Sequence, residues 1–581
     1  MSDLITLFRK DINRLIENLK KNKVINNFDD KNINIDHSSK NKQGDLSTNI
    51  LLILLKKNLV KNFKMKEYII NFFNNLEYIE NIDIPKAGFI NIFIKKSFLI
   101  LKLKDLIDNT TIKERQKLNR KKINIEFVSA NPTGPIHVAH MRGAVLGDVL
   151  ASILESVGHE VTREYYVNDA GSQIAILGTS LFKRYQQLLG LNIEIENSEY
   201  PGKYLIDIAK NLINEDGNKW LTFKDHKERE IFFKNYAVNF LLNEIKKDLS
   251  LINVNFDKFT YESQIVEDKF IDKVFSLLKK KNLIYEGILE KPLGDDSNEK
   301  WEPRNQLLYR SSKFLDNVDR PFQKENGDWT YFANDSAYHY QKYIRGFDKL
   351  INIWGADHIG YIPRMKSIVD VFSNKNNYLD VYICQIVRLI KNNSLLKMSK
   401  RDGNFITLKE IYNQVGKDAL RYYMISTKNE TPMDFDINKV IEKNKDNPVF
   451  YCQYAYARAS SVIRKSKELK NFTKIEDSFS ILSPSSLSQY EWKIILKILF
   501  WPYILIQTSE TKQPHRITNY LEDLCSDFHS FWNKGQSNKS LRMIDENDLN
   551  KTISRLIWIE SFRIVLKQAF KIIDIDAPEN M

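Results

Sequence analysis

Two histidines, His137 and His140, stand three residues apart in NPTGPIHVAHMRGAVLGD, residues 131–148, directly behind two prolines and a glycine. Asn131 precedes Pro132 and is pushed toward an extended conformation, while Pro135 stiffens the approach to a helix expected to start near His137. At the amino end of a helix, unpaired backbone N–H groups and the helix dipole favour an anion. A spacing of three puts both rings on one face. Phosphate binding is the chemistry such a pair suits. A metal pair would want a third ligand that the neighbouring sequence does not supply, and a helix start that merely uses histidine is the plainer alternative.

A second group is KNNSLLKMSKRDGNF at 391–405, where Lys391, Lys397, Lys400 and Arg401 crowd around Ser399 and Gly403 offers a hinge. Flexible ammonium groups in a loop would neutralise charge developing on a transferring phosphate chain; a solvated charge run has the same composition. No GxxxxGK[ST] or GxGxxG occurs in the chain, so a nucleotide must be held by another device.

The elements that position these groups read as a parallel α/β sheet. INIEFVSA from 123 is a short apolar run of the kind a buried parallel strand gives. After the Pro/Gly turn, Val145, Leu146, Val149, Leu150, Ile153, Leu154 and Val157 mark one side of a helix, and VTREYYV follows as a second strand. Strand, turn, helix and strand in about 45 residues is a βαβ unit. Further strands are expected at LINIW and at DVYICQIV, the latter leading into the lysine-rich loop, which should therefore lie at one edge of the sheet. Residues 195–320 are polar and mixed and read as an insertion into the sheet.

Before this unit, a helical start, a polar loop containing GDLSTN at 44–49, a long apolar helix and AGFINIFI at 87–94 predict a small α+β unit. From about 430 the pattern turns helical and aromatic, with YCQYAYARASSVIRK and SRLIWIESFRIVLKQAF as the clearest amphipathic segments. The expected domains are 1–105, 115–435 and 440–581.

A chain of 581 residues, 43 % hydrophobic and 28 % charged, has ordinary globular content spread over several domains, and the net charge of +13 makes a polyanion a plausible partner. Lysine, asparagine and isoleucine are abundant throughout, which we take as a compositional bias of the source. Cys384, Cys452 and Cys525 lie far apart, so neither a disulfide framework nor a cysteine-rich zinc site is indicated, and no structural metal is expected. The amino-terminal residues lack an apolar signal core. IILKILFWPYILI is interrupted by Lys497 and Pro502 and is shorter than the roughly 20 residues a bilayer needs, so it reads as buried helix in a soluble protein.

HVAH after a first strand resembles the HIGH motif of class I aminoacyl-tRNA synthetases, and KMSKR at 397–401 resembles their KMSKS loop. EFVSANPTGPIHVAHMRGAVLGD, EYYVNDAGSQ at 164–173, YFANDSAYHY at 331–340, WGADHIGY at 354–361 and GKDALRYYM at 416–424 narrow the resemblance to the arginyl-tRNA synthetase family. GDLSTN and AGFIN are similar to that family's N-terminal additional domain, and NPVFYCQYAYAR and the terminal DAPENM to its anticodon-binding domain. The resemblance implies a multidomain α/β protein: a Rossmann-like class I synthetase catalytic domain between an N-terminal α+β additional domain and an all-α C-terminal anticodon-binding domain.

It also implies an activity. Arginine and ATP, which carries its Mg2+ with it, give arginyl-adenylate and pyrophosphate, and the arginyl group passes to the 3′-terminal ribose of tRNA, which must be bound before activation. His137 and His140 are then expected to hold the triphosphate, with Lys397 and Lys400 closing over the pyrophosphate; Pro132, Thr133, Gly134, Ala139, Met398 and Ser399 complete the ATP site. A buried guanidinium needs carboxylates and planar acceptors. Tyr331 and Asp335, at i and i+4 of a predicted helix, share a face and match positions that bind the arginine side chain. Glu126, Ser129, Asn131, Asp357 and His358 are expected in the same region. Tyr451, Tyr454, Tyr456 and Arg458 suggest base stacking with interleaved charge, although a tyrosine stripe is also ordinary core.

The one departure is Ala139, where the family motif has glycine; it adds a methyl where the adenine would pack. A tRNA-binding relative that kept the fold and lost activation is the alternative, against which the intact KMSK argues. Partners expected are tRNA, arginine and ATP, with no membrane, in a cytoplasmic monomer.

Overall fold

The computed structural model describes residues 4–23, 25, 32–37, 44–56, 63–85, 88–108, 120–289, 303–314, 316–396, 406–469, 475 and 478–581. Lys397, Met398, Ser399, Lys400, Arg401 and Gly403 lie outside them.

The amino-terminal unit contains α1 (Leu4–Lys21), β1 (Ile35–His37), β2 (Leu46–Thr48), α2 (Ile50–Lys56), α3 (Phe63–Asn74), β3 (Ile79–Asp83), β4 (Ile90–Ile94) and α4 (Lys96–Asp108). Its antiparallel sheet runs β1-β2-β4-β3. GDLSTN, expected as a loop, supplies β2: Leu46 is fully buried, and the strand pairs with β1 on one side and β4 on the other. Its polar residues had concealed a strand in the middle of a sheet.

The central unit is built on β5 (Lys122–Glu126), α5 (Val138–Ser156), β6 (Glu160–Val167), α6 (Ser172–Leu188), α7 (Tyr204–Asp216), α8 (His226–Leu251), β7 (Lys258–Tyr261), α9 (Glu262–Glu267), α10 (Phe270–Lys280), β8 (Ile284–Gly287), β9 (Gln306–Tyr309), β10 (Arg320–Gln323), α11 (Tyr331–Ile344), β11 (Lys349–Gly355), α12 (Ile362–Ser373) and β12 (Leu379–Cys384). Five strands form a parallel sheet in the order β12-β11-β5-β6-β7. The chain builds outward from β5 to one side, then returns to build from β11 on the other. The carboxyl ends of β5 and β11 thus flank the point where strand order reverses, where open α/β sheets bind ligands.

The span 195–320 needs correction, because it is not wholly an insertion. KFTY within it is β7, paired in parallel with β6. Four residues bounded by charge carry no apolar run by which a strand is recognised. Its other described elements are a helical layer of α7 and α8 packed on α6, the helices α9 and α10, and a small antiparallel sheet, β10-β9-β8.

Helix α5 is buried nearly all round. Gly147 permits its close approach to the sheet, since a Cβ there would stand 2.2 Å from the Phe127 ring. Beyond β12 come β13 (Val387–Lys391), β14 (Ser394–Leu395), α13 (Leu408–Ile425), β15 (Met433–Asp436) and α14 (Ile437–Val440). Helix α13 is divided at Gly416, whose φ of 77° and ψ of 170° suit only glycine. Arg421, fully buried, binds Asp148 of α5 at 2.5 Å and donates to the carbonyls of Ile252 and Ile573, each at 2.7 Å. One guanidinium thereby joins three parts of the chain.

The carboxyl-terminal unit is helical: α15 (Pro448–Ser466), α16 (Gln489–Leu499), α17 (Trp501–Thr511), α18 (His515–Ser537) and α19 (Leu549–Ile573). IILKILFWPYILI divides between α16 and α17, because Pro502 begins a new helix. No helix among the described residues is long and apolar enough to cross a membrane. In α15, Tyr456 is core, whereas Arg458 lies over the rings of Tyr454 and Trp532 at 4.2 and 4.9 Å.

Candidate functional site

Leaving β5, the backbone folds sharply. Val128 and Ser129 have φ of 66° and 39°, unfavourable for side chains and especially for a β-branched one, and Ser129 N donates to the Phe127 carbonyl at 2.9 Å across a γ-turn. Strain of this kind, on the order of 1–3 kcal/mol per residue, persists only where surroundings hold it. Here the Tyr165 hydroxyl donates to the Ala130 carbonyl at 2.7 Å, and Tyr166 N donates to Ser129 Oγ at 3.1 Å.

The turn delivers His137 as the N-cap of α5. Its Nδ1 accepts from Ala139 N at 3.3 Å, and His140 Nδ1 accepts from His137 N at 3.4 Å, a reciprocal capping box made by two imidazoles. The rings stand 4.1 Å apart at an interplanar angle of 42°. A neutral imidazole that accepts at Nδ1 carries its proton on Nε2, and Nε2 of His137 is buried. Arg142, one turn on, is buried and donates to the carbonyls of Gln385, Lys428 and Thr431 and to Thr427 Oγ1 at 2.7–3.2 Å. Burial among these neutral acceptors lowers its pKa. It fixes the histidine helix to the segment after α13 and to the β12–β13 junction.

The histidines open on a cleft of about 730 Å³ at the carboxyl ends of β5, β11 and β12, within the roughly 300–1,000 Å³ usual for small-molecule sites. Ser129, Asn131, Thr133, Gly134 and Ala139 line it; Pro132 is buried beneath the turn and does not. The opposite wall includes Asp357 and His358, which follow β11 and pair with each other at 3.4 Å. Their side chains are 80 % and 51 % exposed, more open than the carboxylates Glu126, Glu262 and Asp335. They leave the sheet at the carboxyl end of β11, while those carboxylates stand on β5, α9 and α11.

That second group adjoins the cleft through Trp354, whose ring lies 5.9 Å from that of Tyr361. Tyr361 donates to Asp335 Oδ2 at 2.7 Å. Burial pushes the Asp335 carboxyl up to about 8; the Tyr361 hydrogen bond opposes this, and the charges of Glu126 and Glu262 add to it. The charge of Asp335, and then burial, raise the pKa of Tyr331 at the mouth. Glu262, from α9, accepts from Asn334 Nδ2 at 2.7 Å and is itself raised by burial. Three carboxyl groups and two tyrosines converge where a cation would be welcome.

Beneath them runs a buried network. Lys342 Nζ lies 2.5 Å from Glu126 Oε2 and 3.3 Å from Asn352 Oδ1, and Glu126 Oε1 accepts from Ser129 at 3.1 Å. Asn352 Nδ2 meets His339 Nε2 at 2.8 Å, and the other nitrogen of His339 faces the Asp335 carbonyl at 2.8 Å. Burial first, and Lys342 second, depress His339 to about 3, so it is the neutral link between amide and carbonyl. Sequence reasoning missed His339 and Lys342, although at four and seven residues beyond Asp335 they share its helix face. Glu262 carried no signal, lying in the polar span beyond β7.

The loop that carries Lys397 and Lys400 lies outside the described residues, but its exit does not. Thr407 pairs with His137 in an isolated antiparallel bridge, and Leu408 N donates to the Ile136 carbonyl at 3.0 Å. The loop therefore returns to the histidine turn.

Three family models match, end to end: one described as arginyl tRNA synthetase N terminal domain over residues 3–94, one as tRNA synthetases class I (R), catalytic domain over 102–450, and one as DALR anticodon binding domain over 452–581. An arginine–tRNA ligase from Orientia tsutsugamushi (strain Boryong) is 43 % identical over 545 residues, 92 % of this chain and 91 % of its own length. One from Ehrlichia ruminantium (strain Gardel) is 40 % identical, covering 93 % of each. The solved Thermus thermophilus arginyl-tRNA synthetase superposes with a TM-score of 0.72 at 18 % identity, over 99 % of this chain and 100 % of that one, a likeness of fold.

Proposed function

From the premise that this chain belongs to the arginyl-tRNA synthetase family and ligates arginine to tRNA using ATP, we propose that the reaction runs across the two adjoining pockets. ATP, with its Mg2+, lies in the open cleft. His137 and His140 hold the phosphates at the start of α5 while the turn at Thr133 and Gly134 supplies backbone, and Lys397 and Lys400 act on the leaving pyrophosphate, as in the family motif. Asp357 and His358 face the adenosine. Arginine places its guanidinium against Asp335 and Tyr331, with Glu126, Ser129 and Asn131 toward its polar backbone end.

The arginine carboxylate attacks the α-phosphorus and the bond to pyrophosphate breaks. Charge grows on the departing pyrophosphate, where oriented donors contribute most. A ribose hydroxyl at the 3′ end of tRNA then attacks the arginyl carbonyl and AMP leaves. The helical carboxyl-terminal unit, with Arg458 between Tyr454 and Trp532, supports anticodon binding there. We take the protein to act as a cytoplasmic monomer; sedimentation of the pure chain tests the monomer.

The observation that carries this reading is the pair of adjacent imidazoles capping α5 and lining the cleft. The test is arginine-dependent ATP–pyrophosphate exchange, with and without tRNA. Exchange should appear when tRNA is added, and His140→Ala should lower it by about 10²–10³-fold, as loss of a transition-state donor does. Equal exchange in that variant would remove the histidines from the reaction.

A further inference from the structure

We propose that Tyr204, contributed by the helical layer between β6 and β7, is a positioning residue for ATP, holding the Pro/Gly turn from the side opposite the sheet. This rests on the assignment of the cleft to ATP. The hydroxyl of Tyr204 donates to the Thr133 carbonyl at 2.5 Å, and its ring stands against Gly134. Among the described residues, the turn is held at Ala130 by Tyr165, at Asn131 by Gln173 at 3.2 Å, and at Thr133 by Tyr204. Only the last of these contacts comes from beyond α6.

The segment that carries Tyr204 is itself fixed to α6. Arg184 donates to the Pro201 carbonyl at 2.8 Å, Tyr200 N donates to Ser180 Oγ at 3.0 Å, and Lys183 binds Glu196 and Glu199 at 3.0 and 2.8 Å. Gly202 is where the segment must be bare, since a Cβ there would stand 2.1 Å from the Tyr204 ring. Tyr200, Pro201, Gly202 and Tyr204 all line the cleft. A rigid support on Thr133 fixes the backbone that leads into His137. Its loss should loosen the phosphate end and leave the carboxylate pocket, anchored through Lys342 and His339, unmoved.

Two substitutions perturb this support differently. Tyr204→Phe removes the hydroxyl and keeps the ring, while Gly202→Ala keeps the hydroxyl and displaces the ring. In tRNA-supported exchange, each should raise the KM for ATP by about three- to tenfold, the worth of one hydrogen bond. The KM for arginine should stay within about twofold, since the carboxylates that take its guanidinium lie off this turn. A merely structural role would raise both KM values together or lower the melting temperature with neither changed. Either result overturns the proposal, as does an unchanged KM for ATP in both variants. Absence of exchange in the parent protein would instead defeat the assignment of the cleft, so the two failures are distinguishable.

Discussion

The backbones of His137 and Thr407 pair in an antiparallel bridge, 270 positions apart in sequence, and Thr407 also caps α13 through a reciprocal hydrogen-bonded box with Glu410. The bridge sets the exit of the lysine-bearing loop at the imidazole pair, and the cap sets where α13 begins. Histidine motif and lysine loop therefore share one anchor.

Replacing Thr407 with alanine removes the acceptor for Glu410 N and the donor to Glu410 Oε2. Loss of such a cap costs about 0.5–2 kcal/mol of local stability. We expect the activation rate to fall several-fold with the KM for arginine unchanged, because the loop's landing point frays. Rapid-quench measurement of adenylate formation checks this, and a rate equal to the parent's would show that the cap does not serve the loop.

Asp335 and Tyr331 face the position of a guanidinium, so Asp335→Ala should leave that cation half-matched. Truncating one partner of a buried charged pair costs about 2–5 kcal/mol. Calorimetric titration with arginine should register a loss of that size, while titration with ATP should not change. Unaltered arginine affinity would reassign the pocket.

The pH dependence of arginine binding follows from the same carboxyl. Its folded pKa, about 8, lies above the ordinary carboxylate value, so below pH 8 the folded protein holds a proton that the unfolded chain releases near pH 4. The stability associated with that proton is full below the unfolded value and is lost as pH rises through the folded one. A guanidinium binds the ionised form, so arginine affinity should rise about tenfold per pH unit between 6 and 8 and level off above. At pH 7, binding should release close to one proton, measured from heats in buffers of different ionisation enthalpy. A flat profile between pH 6 and 8 would mean that Asp335 is already ionised.

The sequence made the histidine helix legible to within a residue, because proline, glycine and a sudden apolar period mark where a strand ends and a helix begins. Tyr331 and Asp335 could be paired because both lie on one helix. What could not be read depends on contacts between distant segments: β7 is four residues without an apolar run, β2 hides in a polar stretch, and Glu262 reaches Asn334 across 72 positions. Lys342 looks like any lysine in a lysine-rich chain until the fold buries it against Glu126.

That burial makes Lys342→Met a test of the network. Lys342 is fully buried and Glu126 nearly so, and removing one partner of a buried pair leaves the other uncompensated, at about 3–5 kcal/mol. Urea unfolding followed by catalytic-domain tryptophan fluorescence should show that loss. Adding Glu126→Gln should restore part of it, since the stranded charge is then gone. A single variant within about 1 kcal/mol of the parent would mean that the Glu126 carboxylate finds another partner or a proton.

Ala139, where the family motif has glycine, is exposed in the cleft, and its N–H is spent on His137 Nδ1. Its methyl takes no part in holding the histidines and, with ATP placed in the cleft as proposed, would stand toward the nucleotide. Ala139→Gly keeps that N–H but loses alanine's helix preference in the first turn of α5, about 1 kcal/mol at most. It also clears space on the adenine side. The two effects oppose each other, so aminoacylation should persist and the KM for ATP should shift by less than about tenfold, on the order of 1.4 kcal/mol. Steady-state kinetics over an ATP series decides it. Complete loss of activity would mean that the residue between the two histidines shapes the capping box itself, and the adenine would have to be placed elsewhere in the cleft.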